Sequence, residues 1–286
     1  MFPSRICAAI VLIFSVPTLG KTIWRPRQLN FIENDMVRNM DTSICKRLSN
    51  RFAALSKPPF GLCEIAENAH GKHDMLVLGD SYAINLGPVV YEAFQEHAKE
   101  FNILAMKGCD VLVEQQKPAC NVKVDYEDLL KTLKPQVIFI LQRHVQAKKT
   151  HDITVEDDKI YHDQLAALKR MEEVADKIYI LQAIPSLNRG NYDQIYSVKS
   201  TRELKGRLIK YDDYPARQRI QDLKVNCTKC EIVDIKPLLL TKDNRYWGYN
   251  DETDLLYIDQ WNNFTRFAKE RISQVFRELA RKFARS

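Results

Sequence analysis

Asp74-Met75-Leu76-Val77-Leu78-Gly79-Asp80-Ser81-Tyr82-Ala83 is the stretch on which the reading of this chain turns. Four apolar residues in a row, closed by a glycine, predict a short strand buried on both faces, as strands inside a parallel sheet are. Residues 84–99 then repeat apolar positions at helical spacing, at Ile84, Leu86, Val90, Ala93, Phe94 and Ala98. A strand that passes at once into a helix is a βα unit, with Gly79 permitting the tight turn and Ser81 opening the helix. A hydroxyl at that point lies against free backbone N–H groups, a setting that suits a nucleophile facing a developing oxyanion. A serine there also serves as a plain helix N-cap.

Working outward, short apolar strands are predicted at 101–106, 137–141, 177–181 and 231–235, alternating with helices at 125–133, 156–175, 215–225 and 264–283. Residues 187–211 are polar and read as a long loop or short helices. Five strands alternating with helices predict an α/β fold, a three-layer α/β/α sandwich around a five-stranded parallel sheet. Residues 21–70 read as an irregular, helical lead-in, with helix around 31–54 and a turn at Pro58-Pro59, and residues 71–286 as the domain proper. Ligands of such sheets lie beyond the carboxyl ends of the strands. Besides Ser81, those ends carry Gly108, able to offer a backbone donor, and Gln142-Arg143-His144, where Arg143 or Gln142 can donate to an oxyanion or grip an acid group.

Composition limits the alternatives. Of 286 residues 45% are hydrophobic, and 9 glycines and 11 prolines leave no room for a collagen-like or low-complexity chain. Lys and Arg total 43 against 37 Asp and Glu, a balance that does not call for a nucleic-acid partner. Residues 1–20 carry Arg5, an apolar run over 6–16 too short to span a bilayer, Pro17, and small residues Thr18 and Gly20 placed for a cut before Lys21. They predict a secretory signal peptide and hence a secreted or lumenal chain without stable membrane insertion. Cys7 leaves with that segment. The remaining even set pairs by proximity as Cys45–Cys63, Cys109–Cys120 and Cys227–Cys230, other connectivities staying open. Secretion also makes Asn226-Cys-Thr and Asn263-Phe-Thr glycosylation acceptors where exposed. No motif calls for a metal or a cofactor. The last helix has a basic outer face, and Tyr246-Trp247-Gly248-Tyr249 with Trp261 gather near its start.

Gly-Asp-Ser after the first strand, a glycine after the second and a polar residue after the third resemble the SGNH hydrolase superfamily. The closer resemblance is to the SGNH domain at the C-terminal end of acyltransferase-3 type membrane proteins, especially their animal form. It is carried by Pro58-Pro-Phe-Gly-Leu-Cys63, Leu76-Val-Leu-Gly-Asp-Ser-Tyr-Ala83, Gly87-Pro-Val-Val-Tyr91, Lys134-Pro-Gln-Val-Ile-Phe-Ile140 and Cys227-Thr-Lys-Cys230, and it covers about residues 45–285. The resemblance implies a flavodoxin-like three-layer fold that transfers or removes O-acyl groups, often on sugars, with Ser81 as nucleophile. The membrane-spanning part lies outside it, so a stand-alone extracytoplasmic domain is expected.

The family's late motif, Asp-x-x-His before the last helix, is where this chain departs. Aligned on Phe264-Thr265, the histidine position falls on Asn263 and the acid position on Gln260; shifted by one, they fall on Asn262 and Asp259. Neither register holds a histidine, and none occurs beyond His162. Serine needs an adjacent base, and an asparagine amide cannot take its proton. The expectation is weak or absent activity, in a binding or accessory module for an O-acylated glycan or lipid-like ligand, or for a membrane acyltransferase partner. The alternative is an active O-acyl esterase or transferase in which His144, at the correct sheet edge, is a displaced base.

Overall fold

The structure is a computed structural model that describes residues 25–65, 71–113, 120–149 and 157–285. The segment 1–20, on which the signal-peptide expectation rests, lies outside the described residues. Elements follow in the order α1 (Pro26–Glu33), α2 (Met36–Asn39), β1 (Cys45–Ser49), β2 (Gly61–Ile65), β3 (His73–Gly79), α3 (Ser81–Phe94), β4 (Ala98–Ala105), α4 (Tyr126–Leu133), β5 (Val137–Leu141), α5 (Lys159–Glu172), β6 (Lys177–Leu181), β7 (Ser186–Leu187), α6 (Arg189–Tyr192), β8 (Ile209–Lys210), α7 (Tyr214–Asn226), β9 (Cys230–Val233) and α8 (Arg266–Phe283).

The main sheet runs β1-β2-β4-β3-β5-β6-β9. Its last five members are the predicted parallel strands, with β3 between β4 and β5. Along β3 the side chains alternate between two cores. Met75 and Val77 face α3 and α8, and Leu76 and Leu78 face α4, α5 and α7. That period of two is why the run contains no polar residue: both faces are covered. The two core layers account for the α/β/α sandwich.

Residues 25–65 correct the expectation of an irregular, helical lead-in. Helix occupies only α1 and α2, and the remainder adds two antiparallel strands to the sheet, β2 against β4 and β1 outside it, making seven strands in all. β1 reads Cys-Lys-Arg-Leu-Ser and is largely exposed, so its apolar content is too low to announce a strand. It is held by the ladder and by the Cys45–Cys63 disulfide. Cys109–Cys120 and Cys227–Cys230 complete the predicted pairing, the latter joining the end of α7 to β9. Three disulfides mark a non-cytosolic domain. Among the described residues no helix is long and apolar enough to cross a membrane.

Candidate active site at the end of the central strand

Ser81 sits where β3 meets α3. A Cβ on Gly79 would fall 1.8 Å from the Leu141 carbonyl oxygen of β5, so only glycine lets the chain pass this close to the neighbouring strand. Asp80, not Ser81, is the N-cap of α3: its Oδ1 accepts the Tyr82 N–H at 2.9 Å. Ser81 is therefore the first helical residue. It is 8% exposed, and its hydroxyl has no hydrogen-bond partner among the described residues.

The second oxygen of Asp80 reaches the next strand end. Its Oδ2 accepts both the backbone N–H and the Nε–H of Arg143, each at 3.1 Å, which fixes the guanidinium beside the Ser81 turn. Burial opposes that charge, but Asp80, Tyr82 and Asp110 more than offset it and hold Arg143 above its ordinary value. Gly108, in a left-handed turn (φ 67°) after β4, has an N–H with no partner among the described residues. Arg143 and Gly108 are thus both available as donors.

His144 does not turn towards the serine. It is fully buried, its Nε2 donates to the Leu181 carbonyl at 2.8 Å, and its Nδ1 accepts from Gln142 Nε2 at 3.1 Å. A carbonyl can only accept, so the network assigns the neutral Nε2–H tautomer. Burial lowers its pKa to about 4. Gln142 in turn accepts the Val111 N–H at 2.7 Å, so its polar groups serve the loop after β4 and this imidazole.

In the late motif, Asp259 is fully buried and accepts four N–H groups: the backbones of Trp261 at 2.9 Å and Asn263 at 2.8 Å, and the amides of Asn39 at 3.0 Å and Asn263 at 3.3 Å. Burial outweighs these bonds and raises its pKa. Asn262 sits at φ 67°. Its Oδ1 accepts the Leu187 N–H at 3.2 Å, and its Nδ2 lies 3.4 Å from the hydroxyl of Tyr82, the residue after Ser81. Asn263 points the other way, into the Asp259 carboxylate, while Gln260 offers its backbone N–H to Asn34 at 2.9 Å. Of the two registers, Asp259 and Asn262 make buried side-chain contacts with the α1–α2 segment and with Tyr82, whereas Asn263 is turned to Asp259.

Burial also corrects one sequon. Asn263 is 1% exposed and its Nδ2 is bound to Asp259, so a glycan there does not fit this fold. Asn226 is exposed at the end of α7.

Two groups went unread in the sequence. Asp110 is buried near Arg143 and Asp80 and accepts the backbone N–H groups of Val145 at 3.2 Å and Gln146 at 2.6 Å. Burial chiefly, and the Asp80 charge, push its pKa up to about 6. Tyr82 is buried between Tyr246, Arg143, Asp80 and Asp259, its phenol pushed well above its ordinary value, mainly by burial. Asp110 directly follows Cys109, and Tyr82 directly follows Ser81. Those adjacencies were the available signal, but neither says where a side chain points.

Residues 44–278 match the family described as the SGNH domain fused to AT3 domains. Among solved structures, the periplasmic domain of a lipopolysaccharide acetyltransferase from Salmonella ser. Paratyphi A is 14% identical, with a TM-score of 0.52 over 75% of this chain and 85% of that one. A GDSL-like lipase from Bacteroides thetaiotaomicron is 10% identical, with a TM-score of 0.43 over 76% and 92%. An acetylxylan esterase from Geobacillus stearothermophilus is 10% identical, with a TM-score of 0.41 over 73% and 94%. No curated protein gives a significant match.

Proposed function

The chain belongs to the family of SGNH domains found fused to AT3 domains, and from that premise we propose that it is an O-acyl-binding module with little or no turnover. The observation that carries the reading is a Ser81 hydroxyl without a partner among the described residues, with an amide, Asn262, and no imidazole against the neighbouring Tyr82 hydroxyl. An ester would seat its carbonyl oxygen near the Arg143 guanidinium and the Gly108 N–H, the donors that remain beside the serine turn. Attack by Ser81 requires transfer of its hydroxyl proton, and the Asn262 amide has no basic nitrogen to take it. In subtilisin, loss of the base costs about 10⁶ in kcat. His144 does not make up the loss, since both its ring nitrogens are engaged.

The chain on this reading is secreted, its residues 1–20 acting as the signal, and meets an O-acylated glycan or lipid-like ligand or a membrane acyltransferase. The three disulfides and the AT3-linked family support that setting. Hydrolysis of p-nitrophenyl acetate by the purified chain, by Ser81→Ala and by His144→Ala tests it. Equal, background-level rates in all three are expected. Turnover lost in both variants would instead establish the alternative, an active esterase or transferase that uses Ser81 with His144.

A further inference from the structure

Apart from the Ser81 site, a cavity of about 400 Å³ opens where the first turn of α1 meets the segment 195–201. Its lining includes Arg25, Arg27, Tyr196, Lys199, Ser200 and Asp254, none of which belongs to the serine site. We infer that this cavity is a binding site for an acidic saccharide, a sugar ring carrying a carboxylate or a sulfate.

Arg25, Arg27 and Lys199 are exposed, and none of the three is in an ion pair among the described residues. The one carboxylate in the wall, Asp254, is already answered. Its Oδ1 accepts from Ser200 Oγ at 2.6 Å, Thr201 Oγ1 at 2.7 Å and Thr201 N at 3.0 Å. Three uncompensated cations around one capped carboxylate leave a positive cavity. Arg27 is also held in place, its Nη2 donating to the Tyr196 carbonyl, so its remaining N–H groups point from a fixed fork.

Tyr196 accepts Asn34 Nδ2 at 2.5 Å, which leaves its own hydroxyl hydrogen to donate. Its ring is braced from outside the cavity by that of Phe31, edge-on at 6.3 Å. Rigid aromatic surface beside cations and a hydroxyl suits a ligand with an apolar ring face and an acid group. The volume falls within the range of small-ligand clefts, roughly 300–1,000 Å³. A non-cytosolic domain with three disulfides works where such glycans occur.

α1 lies before the residues shared with the family, and Asn30 in the cavity wall binds the late-motif approach through the Asp254 carbonyl at 2.8 Å and the Leu256 N–H at 2.9 Å.

Calorimetric titration of the full chain with a sulfated uronate disaccharide, and with its desulfated, carboxyl-reduced counterpart, tests the inference. One saturable site for the acidic sugar is expected, weakened by added salt and absent for the neutral one. Arg27→Ala with Lys199→Ala should weaken it roughly tenfold or more, with thermal midpoint unchanged, and Arg25→Glu should do the same by charge reversal. Ser81→Ala should leave it unaltered, which separates this site from the proposed acyl site. Affinity indifferent to the three cations, or binding to phosphatidylserine vesicles with none to the disaccharide, would overturn it.

Discussion

On the proposed reading, position 262 governs the chemistry open to Ser81. Asn262 ties two elements together, the Leu187 backbone and the Tyr82 hydroxyl, so an amide is doing at this place the work of a clasp. The left-handed backbone there is one that histidine tolerates as asparagine does. Asn262→His should therefore be accommodated, three residues after the buried Asp259 and beside Tyr82. We expect it to raise ester hydrolysis by roughly 10²–10⁴-fold, with the gain abolished by a second change, Ser81→Ala. A folded Asn262→His variant with no gain would show that position 262 is not what silences the site. His144 had a sound positional case, since it does follow β5 at the correct edge. Its side chain nevertheless turns inward to Leu181, and only packing decides such a turn.

At the level of elements, the segment α1–α2 acts as a strap over the late motif. Asn30, Asn34 and Asn39 present their amides to Leu256, Gln260 and Asp259 in turn. The Asn39 carbonyl meanwhile accepts from Asn85 Nδ2 at 2.7 Å and Lys269 Nζ at 2.6 Å, fastening the strap to α3 and α8. Asn39→Ala removes one donor from a fully buried carboxylate while leaving those carbonyl bonds intact. A loss of about 1–3 kcal/mol in urea unfolding is expected, with Asn39→Asp worse because it sets a second carboxylate against Asp259. A change in Asn39→Ala below about 0.5 kcal/mol, the range of ordinary surface substitutions, would mean the strap merely rests on the loop. The strap was illegible beforehand because its partners lie more than two hundred residues along the chain, as with Asn39 and Asp259, separated by 220.

For the whole molecule, two buried groups pull stability in opposite directions with pH. The folded pKa of His144 is lowered to about 4, against an ordinary 6.5. Between those values the unfolded chain binds a proton that the folded chain does not, so this group makes stability rise with pH. The folded pKa of Asp110 is raised to about 6, against 3.8. In that window the folded chain keeps a proton that the unfolded chain has released, so this group makes stability fall as pH rises. Each contribution is on the order of 3 kcal/mol and they nearly cancel. Relative to the unaltered chain, Asp110→Asn should tilt the unfolding free energy upward from pH 4 to 6.5, and His144→Gln should tilt it downward. Parallel curves for all three proteins would rule this opposition out.

What the sequence by itself determined is everything that depends on near neighbours or on bare inventory. The apolar run into Gly79, the Ser81 that opens α3, the five parallel strands and the want of a histidine past His162 all belong here. Tertiary structure alone decided which distant groups meet. It enlisted the polar strand β1 through its ladder, chose Asn262 over Asn263 to face Tyr82, buried Asn263 against Asp259, and closed His144 upon Leu181. The reason is physical: periodicity and turn chemistry act over a few residues and are written locally, whereas a hydrogen bond's direction depends on where the folded chain has brought its partner.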